Sequence, residues 1–440
     1  MAESSKLNQG VDTRVAATHV LAAVFDKHQT IDEALDKVGA KYRLSDADRR
    51  LVHAISGFVF RNLGFIDQTL LTVMNRKRAP SPKLLHQLLR VGVAQLMYMD
   101  VAEHAAVHAT VSACGSLHLS RQKGLVNAVL RSVQRQRQQL LAKPSLPLDT
   151  LPEWLRNRWI STYGESVARD LATAMKKEAP IDVCVKDANA LLQWGQQLGG
   201  ECIGIQSVRM PSDAAHIVSW HGFEDGAWWI QDIAATLPIN MLGEVSGKSV
   251  LDMCAAPGGK SMQLAAKGAK VTALDVSAAR MQRVLENIAR CKLEHEVKTV
   301  VADATTWCAD SEFDIVVLDA PCSSTGTLRR HPELPWNHDK NQLEKTCASQ
   351  RLLLKRASNL LRSQGYLLYC TCSLEVEEGE NQIEAFLAEN SNFKEIAEIP
   401  LPVQPYLKRG LKGIGWRAYP TLLASRGGMD GFFIALLQKQ

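Results

Sequence analysis

The sequence lacks any run approaching the roughly 18 to 20 uninterrupted apolar residues that a membrane-spanning helix requires, and its opening, "MAESSKLNQGVDTR", is polar where a secretory signal would be apolar. A cytoplasmic protein is the expectation. It holds ten cysteines, yet none forms a Cys-x-x-Cys pair and their spacing is irregular, which fits neither a zinc module nor the disulfide framework of a small secreted domain. Most should be reduced core residues, and no metal is expected. Also missing are G-x-G-x-x-G and G-x-x-x-x-G-K-[ST], which argues against a dinucleotide pyrophosphate or a nucleoside triphosphate as ligand.

What is present is a chain of 440 residues, 46% hydrophobic and 22% charged, enough for two to four ordinary globular domains. The net charge of +5 is unevenly spread: residues 1–150 carry 20 Lys/Arg against 12 Asp/Glu. Two segments in that third hold five basic residues each and no acid, "RKRAPSPKLLHQLLR" (Arg76 to Arg90) and "RQKGLVNAVLRSVQRQR" (Arg121 to Arg137). One such run is ordinarily a solvated helix face. Two in one basic domain favour a polyanionic partner, nucleic acid above all.

Periodicity then divides the chain. After a polar tail (1–12), residues 13–142 place apolar side chains at three- and four-residue intervals and read as an all-α bundle, with Ser45 or Asp46 as an N-cap. The proline-rich "AKPSLPLDTLPEW" marks a domain edge. Residues 143–225 read as a small α+β domain, and residues 226–440 alternate β-branched runs with helical stretches, the pattern of an α/β doubly wound, Rossmann-like parallel sheet.

Five of those runs, "SVLDMC", "VTALD", "KTVVAD", "DIVVLD" and "GYLLYCTC", end in a polar or small residue. In an open parallel sheet ligands lie beyond the carboxyl ends of the strands, so Asp252, Asp275, Asp303, Asp319 and Cys372 should share one edge. The first run leads into Cys254, Ala255, Ala256, Pro257, Gly258, Gly259 and Lys260, a turn small enough to bring backbone N–H groups against a ligand. Asp275, sixteen residues after Gly259, is placed to accept both hydroxyls of a ribose. A nucleoside without phosphates fits this combination, and S-adenosylmethionine is such a molecule.

The motifs "LDMCAAPGGK", "DAPCSSTGTLRRHPELPW" and "YCTCS" resemble those of the RNA cytosine-C5 methyltransferases, in the same order and spacing. "WWIQDIAATLP" and "GGMDGFFIALLQK" resemble the entry segment and last strand of that catalytic domain. "RRLVHAISGFVFRN" and "KGLVNAVLRSV" resemble the NusB-type helical RNA-binding fold. The combination is similar to bacterial enzymes that methylate 16S ribosomal RNA, and it implies 16S rRNA, free of ribosomal proteins or early in their assembly, as the partner; a monomer is the default expectation. Where many relatives carry Pro-Glu-Glu-Asn after the TCS motif, this chain reads Val376-Glu377-Glu378-Gly379.

Carbon 5 of cytosine is a poor nucleophile, so an enzyme must first add a thiolate at C6 to load electron density onto C5. The resemblance implies Cys372 as that nucleophile, Cys322 as the residue assisting release, and Asp319 as a contact to the base close to the cofactor. It further implies that the Cys254–Lys260 turn surrounds the methionine and ribose, that Asp275 and Arg280 contact the cofactor, and that Asp303 meets the adenine amino group. Arg329, Arg330 and His331 are expected to hold RNA phosphates, and Cys370 reads as packing. Two other classes fit the residues less well. An amino-methylating enzyme with a DPPY-like motif would stack an aromatic residue where this chain has Cys322, and a noncatalytic RNA-binding factor would not need both cysteines beside an intact cofactor turn.

Overall fold

Residues 13–140, whose apolar positions recur at helical spacing, are helical almost throughout in the computed structural model of the chain, which describes the backbone of residues 2–76, 78–142, 146–211, 217–337 and 340–440. Lys77 of the first basic segment, and Lys143, Pro144 and Ser145 of the proline-rich edge, lie outside the described residues. The chain packs as two units, one formed by residues 1–176 with 330–339 and the other by residues 177–329 with 340–440.

In the first unit the opening helix, Ala2–Lys27, already begins within the stretch set apart as a tail. The helices Ile31–Tyr42, Asp46–Arg61, Leu63–Val73, Lys83–Tyr98, Glu103–Ser116 and Lys123–Leu141 follow, burying Val20, Ile55, Phe60, Leu88 and Leu130 in one core. Ser45 is an N-cap, its Oγ accepting the Asp48 N–H at 3.2 Å. The long periodic run after it breaks at Asn62, which leaves helical geometry (φ −125°) and donates Nδ2 to the Phe58 carbonyl at 2.9 Å. Two more helices, Glu153–Tyr163 and Glu165–Lys176, complete the chain's first passage through this unit. Residues 330–339 return to it: the buried Glu333 accepts the Ile31 N–H at 3.2 Å, and Trp154 Nε1 donates to the Pro335 carbonyl at 2.8 Å.

The second unit begins with an antiparallel sheet in the order β2-β3-β1-β4, built from β1 (Asp182–Val185), β2 (Glu201–Ile203), β3 (Ser207–Arg209) and β4 (Trp228–Ile230). A larger sheet follows, with β5 (Ser249–Met253), β6 (Lys270–Asp275), β7 (Val297–Val301), β8 (Phe313–Asp319), β9 (Leu361–Thr371), β10 (Phe393–Glu395), β11 (Lys408–Arg409), β12 (Trp416–Ala418) and β13 (Phe432–Lys439). Its order is β11-β12-β13-β9-β8-β5-β6-β7, with β10 also on β13. The five strands β5 to β9 are parallel, and β13 closes antiparallel on β9. The chain moves outward from β5 through β6 to β7 and then crosses back to β8 on the other side of β5. The carboxyl ends of β5 and β8 therefore flank the switch point where such sheets bind their ligands.

Candidate active site

Beyond β5 the chain turns through Cys254 (φ 60°) and Gly258 (φ 102°) into the helix Gly259–Ala266. Left-handed backbone at Gly258 suits glycine, and a Cβ there would stand 3.1 Å from Val284. Ala255, Ala256 and Pro257 span the turn with little side-chain bulk. Asp275, buried at the end of β6, ties the turn to the next strand: its carboxylate accepts the Ala256 N–H at 3.2 Å, the Ser277 N–H at 2.9 Å and Arg280 Nη2 at 2.9 Å. Arg280, itself mostly exposed, is thus placed on the acid. Asp303 lies just past β7 at the surface, and hydrogen bonds from the Thr305 hydroxyl and N–H hold its carboxyl below the usual range. Next to Asp275 stands a residue that the motif reading missed, Val276, 65% exposed. This uncovered aliphatic side chain beside the Asp275 carboxylate presents an apolar face at the sheet edge.

Asp252 does not join this edge. It is fully buried, its Oδ2 accepts the Ser261 hydroxyl at 2.5 Å, and burial pushes its carboxyl up to about 7. Its work is to hold the helix Gly259–Ala266 against β5. Burial likewise pushes the Cys254 thiol up to about 12, which leaves it protonated and unreactive.

Lys260, one residue into that helix, reaches across the switch point to Asp319 at the end of β8, Nζ to Oδ2 2.6 Å. Burial opposes the charge on Lys260, but attraction to Asp319 outweighs it and raises the ammonium's pKa. The other oxygen of Asp319 accepts the thiol of Cys370 at 3.5 Å. Cys370 is buried, as packing requires, and also helps fix the carboxylate. About a third of the Asp319 side chain stays open to solvent, so the group is oriented yet accessible.

Cys322 and Cys372 meet with their sulfurs 3.5 Å apart. The contact polarises them. A hydrogen bond from Cys322 to Cys372, with smaller help from Ser324, draws the Cys372 thiol below the ordinary range, while the same contact and burial hold Cys322 well above it. The contact therefore favours the proton on Cys322 and the thiolate, the reactive form, on Cys372.

Behind the sulfurs the two turns are bolted together by groups that motif matching alone did not single out. Ser323 Oγ lies 3.2 Å from Ser373 Oγ, and the buried Glu378 carboxylate accepts the Ser323 N–H at 2.9 Å, the Ser323 hydroxyl, and Gln350 Nε2 at 3.2 Å. Burial raises the Glu378 pKa. The Gly326 N–H donates to the Cys372 carbonyl at 2.9 Å. Gly379 has a physical reason: a Cβ there would come 2.8 Å from the Phe433 ring and 2.9 Å from Arg417 Nη2. The doubled serine after Cys322 and the acidic pair after Cys372 were the available signals.

Arg329 departs from its expected role. It is 1% exposed and donates Nη2 to the Gly427 carbonyl at 2.6 Å, so it buttresses a loop and does not offer itself to a phosphate. Arg330 and His331, half-buried, belong to the helical unit. Among the described residues no cluster of three acidic, histidine or cysteine side chains could hold a metal, and no helix is long and apolar enough to cross a membrane.

Comparison with known proteins agrees with this geometry. Residues 239–438 match the family described as 16S rRNA methyltransferase RsmB/F, and residues 11–135 match the NusB family. A ribosomal RNA small subunit methyltransferase B from Cronobacter sakazakii is 32% identical over 99% of this chain and all of its own length. A protein of the same name from Xanthomonas campestris pv. campestris is 35% identical over 98% of both chains. Among solved structures, the one reported as PH0851 superposes with a TM-score of 0.78 at 24% identity over 98% of both chains, a likeness of fold. A methyltransferase homologue from Pyrococcus horikoshii gives 0.53 at 25% identity, covering 65% of this chain and 94% of its own. The cofactor is S-adenosylmethionine, and the residues at the sheet edge are compatible with it: a turn of small residues at Cys254–Lys260, a buried carboxylate at Asp275 and an uncovered apolar side chain at Val276. With cysteine pair, cofactor turn and helical unit all in place, the chain belongs to the ribosomal RNA small subunit methyltransferase B family.

Proposed function

We propose that the protein methylates carbon 5 of a cytosine in 16S ribosomal RNA through a covalent adduct between Cys372 and carbon 6. The observation that carries this reading is the pair of sulfurs 3.5 Å apart at the ligand edge of the sheet, with the lowered thiol on Cys372. Bound S-adenosylmethionine supplies an electrophilic methyl group. The Cys372 thiolate adds to C6 of a base turned out of its stack, and the electron pair displaced toward C5 makes that carbon the nucleophile. Asp319, fixed by Lys260 and Cys370, accepts from the N4 amino group and from N3 when that nitrogen takes up a proton, which eases the addition. After methylation the C5 proton leaves to a base, its electron pair restores the C5–C6 double bond, and the C6–S bond breaks with its pair returning to Cys372. Cys322, protonated beside the leaving sulfur, supports this last step.

RNA as substrate is supported by the names of the relatives and by the helix Lys123–Leu141. Lys123 at its start is exposed, and Arg131 and Arg135 lie along its exposed side, opposite the buried Val126, Leu130 and Val133. Such a row neutralises phosphates with little regard to sequence. The reading places the protein in the cytoplasm as a monomer, on rRNA free of ribosomal proteins or early in assembly. Its test is transfer of labelled methyl to protein-free 16S rRNA followed by nucleoside mass spectrometry. 5-Methylcytidine is the expected product, and N4-methylcytidine or a methylated purine would refute the reading.

The same reading assigns Asp275 to the ribose. Asp275→Ala should weaken S-adenosylmethionine binding about tenfold to a hundredfold, the scale of losing hydrogen bonds to a charged acceptor, measured by titration calorimetry. Arg280→Ala, which leaves the acid in place, should weaken binding less. An unchanged Kd in Asp275→Ala would remove the acid from the cofactor site.

A further inference from the structure

Ser324 sits in the turn just after Cys322 with φ 55° and ψ 27°, left-handed backbone that a residue with a Cβ adopts at a steric cost. Strain of this kind persists where the surroundings fix it and the side chain has a use. The surroundings are clear: the Thr327 N–H and hydroxyl both donate to the Ser324 carbonyl at 2.9 Å, Glu378 grips the preceding residue, and Gly326 is pinned to the Cys372 carbonyl. The side chain faces one thing. Among the described residues its hydroxyl has only sulfur partners, Cys372 Sγ at 3.3 Å and Cys322 Sγ at 3.8 Å.

We propose that Ser324 is a catalytic residue whose hydroxyl stabilises the Cys372 thiolate, both before attack and when the C6–S bond breaks. The inference rests on the adduct reading above and adds the group that carries the sulfur's charge. In the thiol form the Cys372 S–H points at Ser324 Oγ. Once that proton has gone, the hydroxyl, free to turn about its C–O bond, donates its own hydrogen to the sulfur. The Cys372 sulfur, once charged, then accepts from two sides, the Ser324 hydroxyl and the Cys322 S–H. The same arrangement serves departure: as the C6–S bond breaks, the electron pair returns to a sulfur already facing a donor. The sequence hides this, because in "DAPCSSTG" the two serines are indistinguishable by type, and only the fold turns Ser323 inward to Glu378 and Ser324 outward to the sulfurs.

The test needs neither RNA nor cofactor. Wild type, Ser324→Ala, Ser324→Gly and Ser324→Asn are alkylated with iodoacetamide across pH, and modification of the Cys372 peptide is followed by mass spectrometry alongside thermal melting. Ser324→Ala should slow alkylation at pH 7 about tenfold, the scale of one hydrogen bond to a charged group, and move the pH midpoint upward. Ser324→Gly should show the same shift while melting no lower than wild type, because glycine accepts this backbone without strain. Asparagine tolerates the left-handed region and keeps an N–H donor, so Ser324→Asn should recover part of the rate. Unchanged Cys372 midpoints in both the alanine and glycine variants would overturn the proposal. A shifted midpoint in a protein that makes no 5-methylcytidine would uphold Ser324 and refute the substrate reading, so the two failures are separable.

Discussion

Cys372→Ala should transfer no methyl group to rRNA, with a rate loss of at least about 10⁴-fold, the scale of deleting a catalytic nucleophile. It should also form no RNA adduct that survives denaturant. Cys322→Ala should behave differently. It retains the attacking sulfur but lacks the group beside it at release, so a covalent protein–RNA species should accumulate and be visible as a retarded band after heating in detergent. The geometry adds a qualification to that picture. Because the hydrogen bond from Cys322 is the largest influence lowering the Cys372 thiol, removing Cys322 also raises the pKa of the nucleophile, and the trapped species should form more slowly than in wild type. The sign follows from the thiolate being the reactive form: rate rises with pH through the Cys372 pKa, which in wild type lies below the ordinary thiol value of 9.0. In Cys322→Ala the rising limb should move to higher pH. Methylation by Cys372→Ala, or an adduct in that variant, would end the assignment.

The parts of this site that can be read from residue order are those set by backbone rules. The strand-end rule points to "VTALD" and "DIVVLD", and Asp275 and Asp319 do stand at the ends of β6 and β8, while the run of alanine, proline and glycine does form a turn into the helix Gly259–Ala266. Asp252 obeyed the same strand-end rule and yet serves packing, because the rule places a residue at the edge without saying whether a neighbouring hydroxyl will seal it. Ser261 does. Arg329 shows the same gap from the other side: a basic residue in a polar loop looks solvent-bound until the Gly427 carbonyl is known to lie beside it. Glu378, Ser323 and Ser373 were harder still. The contacts that join Ser323 to Ser373 and Glu378 span 50 and 55 positions, and no periodicity connects separations of that length. Residues 330–339 make the point at the scale of units, since a segment embedded in the methyltransferase motifs packs with helices more than 150 residues earlier in the chain.

Arg417→Met should be the most destabilising single change in the second unit described here, by about 3–5 kcal/mol. Arg417 and Glu380 are both fully buried and paired through two hydrogen bonds, Nε to Oε1 at 2.7 Å and Nη2 to Oε2 at 2.5 Å. Such a pair owes little net stability to its charges, because desolvating them costs about as much as their attraction returns. Removing one partner is a different matter: the remaining Glu380 carboxylate is left charged in a site closed to water. Arg417 also donates Nη1 to the Ser373 carbonyl at 3.1 Å and Nη2 to the Glu375 carbonyl at 3.3 Å, and these belong to the turn that begins at Cys372. Denaturant titration should therefore show a lower midpoint for Arg417→Met, and the folded fraction should also methylate more slowly as the cysteine turn loosens. The double variant Glu380→Gln with Arg417→Met, which leaves no unpaired charge, should recover a large part of the stability but not the rate, because the carbonyls of Ser373 and Glu375 still lack their donor. Recovery of both together would mean that Arg417 acts on the fold alone and that the cysteine turn holds its shape without it.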